Sequence, residues 1–88
     1  MIVEVFKTNV NYLLDAELLV RQIESSFPAY SASFDLEDCD RILRVESRSG
    51  VLKNEFIIDI LKYNNFSAEV LNDEIVKKIG KFSKILLQ

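Results

Sequence analysis

The sequence predicts an α+β domain in which two helices cover one face of a four-stranded antiparallel sheet. Three observations carry this expectation. Apolar residues alternate at a period of two around 2–7, 30–36, 41–46 and 66–71, as on half-buried strands. They recur at steps of three and four over 12–27 and 51–63, as on helices with one buried face. The order is therefore strand, helix, strand, strand, helix, strand, and a chain of 88 residues has room for a single core.

The first strand is β-branched and aromatic, Ile2-Val3-Glu4-Val5-Phe6, with Val3 and Val5 set against Glu4 in a weak alternation. From Tyr12 the period changes: Tyr12, Ala16, Leu19, Val20, Ile23 and Phe27 share one side of a helix, and polar residues fill the other. Pro28 disfavours helical geometry at Phe27 and so helps to stop it. In the second strand Ala32, Phe34 and Leu36 oppose Ser31, Ser33 and Asp35. The polar run Glu37-Asp38-Cys39-Asp40 then turns the chain into a third strand, with Leu43 and Val45 inward and Arg44 and Glu46 outward. After a loop over 47–50, the second helix offers Leu52, Phe56, Ile57, Ile60 and Leu61 to the core. Asn64 and Asn65 end it, because asparagine tolerates the left-handed conformation that closes many helices. A last short strand places Phe66, Ala68 and Val70 on one side.

This βαββαβ order is that of the ferredoxin-like sandwich. It occupies residues 1–71, and residues 72–88 form a C-terminal extension expected to be an amphipathic helix. Asn72 or Asp73 would cap it, Ile75, Ile79 and Phe82 are its candidate interface residues, and four lysines lie largely elsewhere. A helix of that length is marginal alone in water, so it should dock on the body or on a second copy.

Composition narrows the function classes. The chain is 49% apolar and 28% charged, the balance of a folded soluble domain. One cysteine, Cys39, allows no internal disulfide, and no secretory leader or membrane-spanning run is visible, so a cytoplasmic setting is expected. Residues 1–71 carry seven basic and twelve acidic side chains, a field that repels phosphate backbones and argues against a nucleic-acid partner. The third strand, RILRVES, also lacks the aromatic residues with which sheet-based RNA-binding modules stack bases. Without histidine, and without carboxylates in a motif that assigns two roles, no catalytic residue is nominated and no cofactor is expected. Gly50 and Gly80 are isolated, so no phosphate-cradling loop is present. The acidic run around Cys39 fails as a calcium loop, because Asp40 stands where glycine is required.

Three stretches carry a family resemblance. ASFDL at 32–36 with the hairpin and RILRVES, and IIDILKYNNFSAEVL at 57–71, resemble the second and third strands and the last helix, turn and strand of heavy-metal-associated domains, the modules of copper chaperones and metal-pumping ATPases. The third stretch is the junction TNVNYLLD at 8–15. In that family it holds Met-x-Cys-x-x-Cys, and the resemblance sets Val10 at the methionine and Tyr12 and Asp15 at the two cysteines. Both thiolates are missing, and monovalent copper prefers soft sulfur to a phenol or a carboxylate. The resemblance therefore implies the metal-chaperone fold without its metal site, and a small soluble non-catalytic domain acting through protein contact, self-association or an unidentified ligand. Asn9, Val10, Asn11, Tyr12 and Asp15 are the candidate contact residues. The alternative is a heavy-metal ion carrier using non-standard ligands, such as Cys39 or a thiol of another chain. A third class, attachment to an acidic membrane through the lysine-bearing extension, requires the apolar side of that extension to be free.

Overall fold

Strand β1 (Ile2–Thr8) leads into helix α1 (Leu13–Ser26), the hairpin strands β2 (Tyr30–Asp35) and β3 (Ile42–Ser47), helix α2 (Asn54–Tyr63) and the short strand β4 (Ala68–Val70) in the computed structural model. The structure describes residues 2–37 and 39–71. The expected helix over 72–88, with Ile75, Ile79 and Phe82, lies outside the described residues. The strands form one sheet in the order β2-β3-β1-β4, and every neighbouring pair is antiparallel. Four antiparallel strands in an open sheet with two helices are compatible with a ferredoxin-like fold.

Register explains the core. Phe34, Leu43, Phe6 and Val70 fall in one cross-strand row, and Ala32 faces Val45 in the next. Phe6, Leu43 and Val45 from that side of the sheet join Ala16, Leu19 and Ile23 of α1 and Ile57 and Leu61 of α2 in one buried cluster. Each Val, Leu, Ile or Phe side chain removed from water contributes about 1.5–3 kcal/mol, so this shared layer holds helices and sheet together.

The observed parity of β1 reverses the weak alternation in the sequence. Phe6 and Thr8 are buried, Glu4 shares their parity opposite Val45, and Val3 is exposed. The strand has apolar residues on both sides, and its register with β3 sets which side joins the helices. Helix α2 also begins later than its periodicity predicts, at Asn54, with Lys53 extended at the N-cap and making no side-chain cap bond. Phe56, expected in the core, is exposed along part of its ring and stacks on Phe27 with centroids 5.4 Å apart. Asn65 has φ of 68°, the left-handed geometry expected of it.

Candidate functional site

The junction between β1 and α1 lies at the end of the sandwich where three loops meet: 9–12, 36–41 and 64–67. Its backbone is held by polar side chains. Thr8 Oγ1 donates to the Arg41 carbonyl at 2.6 Å and accepts from Val10 N–H at 3.2 Å. Asn9 Oδ1 accepts from Ser67 N–H at 2.9 Å, and Asn11 Oδ1 accepts from Arg41 Nε at 2.8 Å. The two asparagines therefore tie the junction to the start of β4 and to the β2–β3 turn. Arg41 reaches this position from a left-handed backbone, φ 49°, and its Nη1 also donates to the Cys39 carbonyl.

The candidates divide by burial. Val10 is fully buried within the core cluster, so it anchors the junction from below. Tyr12, expected on the buried side of α1, is instead its N-cap residue and is 71% exposed. The helix starts one residue after Tyr12, and the side chain at an extended N-cap points away from the helix-to-sheet interface. Asp15 is half-buried in the first turn, where a carboxylate complements the positive end of the helix. Cys39 is exposed in the β2–β3 turn. Among the described residues, no three Cys, Asp or Glu side chains are grouped to hold a metal ion.

Sequence periodicity missed the most distinctive surface. Leu13, Leu14 and Leu18 are 67%, 79% and 47% exposed, and with Tyr12 they leave four large side chains exposed over the first two turns of α1. The buried stripe of the same helix is Ala16, Leu19 and Ile23. Leu14 and Leu18, one turn apart, therefore form a second stripe on the side of the helix turned away from the sheet. Next to Leu13, on the side of the edge strand β2, a shallow groove of about 250 Å³ is lined by Leu13, Ala16, Glu17, Val20, Arg21 and Phe34. The available signal was the surplus of leucine in LLDAELLV, more than a single buried face can absorb.

The edge beside this groove is partly closed. Glu24 Oε2 accepts the Ala32 N–H at 3.0 Å, so a side chain of α1 occupies a backbone donor of β2. Such closure blunts unwanted strand pairing, and it leaves the helix surface, more than the sheet edge, as the accessible apolar feature. Among the described residues no helix is long and apolar enough to cross a membrane. The chain matches no protein-family model, and no curated protein or solved structure is significantly similar to it.

Proposed function

We propose that the chain is a small non-catalytic binding module, similar in fold to heavy-metal-associated domains but without their soft-metal site. It engages an apolar surface of another protein through the start of α1. The observation that carries this is the exposure of Tyr12, Leu13, Leu14 and Leu18 at the start of α1. Large apolar side chains gathered on one surface stand in water at a cost that association removes. The N-cap supports the same reading. Serine, threonine, aspartate or asparagine at that position stabilises a helix by about 0.5–2 kcal/mol relative to alanine, yet Tyr12 makes no cap bond. An exposed aromatic retained in place of a cap is well suited to contact, because tyrosine offers a large rigid surface with a polar tip.

The groove beside Leu13 extends the contact surface toward β2, with Glu17 and Arg21 as a polar rim. Asn9 and Asn11 serve this surface indirectly, by holding the junction that presents Tyr12. The protein would work in a reducing, cytoplasmic setting and take no cofactor.

The test places a photo-crosslinking amino acid at position 14 in the full chain, in cells of its host, with exposed Lys62 as the control position. A discrete crosslinked protein from position 14 that is absent from position 62 is the expected result. Sedimentation of the pure protein separates a second copy from a different partner. No discrete product at position 14, with the pure protein monomeric, would overturn the proposal. Copper(I) competition under reducing conditions addresses the carrier alternative, which tight one-to-one binding by the unmodified chain would restore.

A further inference from the structure

The helical layer is uneven: α1 has 14 residues and α2 has 10. Gln22 and Asn64 exchange side-chain hydrogen bonds of 3.3 and 2.8 Å, so the C-terminal end of α2 lies beside the middle of α1. The two turns of α1 that precede Gln22 carry Leu14 and Leu18, both exposed. At about 100° per residue, Asp15 and Glu17 fall on opposite sides of this leucine stripe, so a carboxylate flanks it on each side. Asp15 is half-buried and Glu17 is exposed. The single basic residue of α1, Arg21, follows nearly a turn after Leu18 and lines the groove toward β2. The Arg41–Asn11 bond sets the β2–β3 turn against the junction, and exposed Asp35 and Glu37 stand where that turn begins. Lys7, near the end of β1, is engaged with Asp40 at 3.8 Å.

We infer that the segment that seats on α1 is a cationic amphipathic stretch of a different protein, with apolar side chains over Leu14 and Leu18 and a lysine or arginine on each flank to meet Asp15 and Glu17. This rests on the partner surface proposed for α1 and names the chemistry of its occupant. Charge decides against a second copy. An antiparallel pair of α1 helices that seats Leu14 of each copy on Leu18 of the other also sets Asp15 of each opposite Glu17 of the other, in the same register. Like charges brought together in this way oppose association, whereas a cationic flank turns the same two carboxylates into ion pairs. Residues 1–71 carry seven basic and twelve acidic side chains, so the field beyond the contact also draws a cationic partner in. The leucines supply the hold, and the carboxylates select what is held.

The experiment is an NMR titration of the full chain, methyl-labelled at leucine and valine, with a synthetic amphipathic peptide of leucine and lysine and with its leucine–glutamate counterpart. The expected result is that only the lysine peptide shifts the Leu14 and Leu18 methyls, while the buried methyls of Leu19 and Leu43 stay in place. Its affinity should fall roughly fivefold in an Asp15→Asn, Glu17→Gln variant, the effect of losing two surface ion pairs. Equal binding of both peptides at the stripe would overturn the charge assignment and leave the apolar contact of α1 standing. No shift at Leu14 and Leu18 from the lysine peptide would overturn it as well, and so would dilution-dependent shifts at those methyls in the pure protein, the sign of a second copy. Failure of the α1 surface itself is read separately, from the crosslink at position 14.

Discussion

The two ends of the sandwich are built with similar polar ties but present different surfaces. At the end where β1 stops, Thr8, Asn9, Asn11 and Arg41 hold three loops together, and the exposed apolar start of α1 stands beside them. At the other end Ser47 Oγ donates to the Val51 carbonyl at 2.6 Å, and Tyr30 Oη accepts from Lys53 N–H at 3.1 Å. There Arg48 binds the Pro28 carbonyl and Ser31, while Phe27 stacks between Tyr30 and Phe56. The second end thus stacks its aromatic residues on one another, with Phe56 still 42% exposed, whereas the first leaves Tyr12, Leu13, Leu14 and Leu18 without such stacking. The start of α1 therefore carries exposed apolar side chains that the stacked aromatic residues of the other end do not match.

The sharpest way to break this contrast is within α1 itself. Leu19→Ala removes a fully buried side chain from the layer between helices and sheet, and should cost about 2–5 kcal/mol in chemical denaturation. Leu14→Ala removes the same atoms from an exposed position and should change stability by less than about 0.5 kcal/mol. Equal losses would mean that Leu14 packs on something within the chain, and the proposed partner surface would disappear.

The contrast between those two leucines also marks what could be read in advance. Ala16, Leu19 and Ile23, the inward pair Leu43 and Val45, and the left-handed Asn65 follow from local periodicity and residue type. The parity of β1 does not, because Ile2, Val3, Val5 and Phe6 offer apolar groups to both sides, and only the register with β3 selects one. The roles of Asn9 and Asn11 were equally hidden: their partners, Ser67 and Arg41, lie 58 and 30 residues away. Tyr12 misled because it matches the helical period by one turn, while the helix starts one residue too late to use it.

Intermediate effects should appear where each end is tied. Thr8→Val keeps the side-chain shape but removes the hydroxyl shared by the Arg41 carbonyl and the buried Val10 N–H bond. Leaving that donor unmet should cost about 1–3 kcal/mol. At the opposite end, Ser47→Ala removes a fully buried hydroxyl whose acceptor, the Val51 carbonyl, belongs to an exposed residue. Water can replace the lost donor there, so about 1 kcal/mol is expected. Amide exchange adds a positional check: Thr8→Val should speed exchange at Val10 and leave the loop over 48–53 unchanged, and Ser47→Ala should do the reverse.

Gains are also expected, and they are smaller. Tyr12→Ser at an extended N-cap, φ −115° and ψ 141°, should let the hydroxyl accept an unsatisfied N–H of the first turn. That should raise stability by about 0.5–1 kcal/mol, while crosslinking from position 14 falls because an aromatic contact has been removed. A more stable protein with a weaker interaction would separate the two demands on this residue. Unchanged crosslinking would shift the partner contact away from Tyr12 and toward Leu14, Leu18 and the groove.

The smallest effect is expected at Cys39, beside the tied end but outside the exposed apolar start of α1. Its side chain is exposed, and its backbone carbonyl accepts a hydrogen bond from Arg41 Nη1. Cys39→Ser keeps that carbonyl and exchanges sulfur for oxygen in water, so thermal stability should stay within about 0.5 kcal/mol of the parent. Alkylation of the native protein should likewise proceed as fast as alkylation of the unfolded chain, since Cys39 is exposed. Slow alkylation together with a loss of several kcal/mol would mean that the turn is covered in solution. The most direct candidate for that cover would be a second copy seated on the end that carries Tyr12, which would merge the turn with the binding surface of α1. An unchanged Cys39→Ser variant that keeps its crosslink from position 14 would confine the partner surface to the helix.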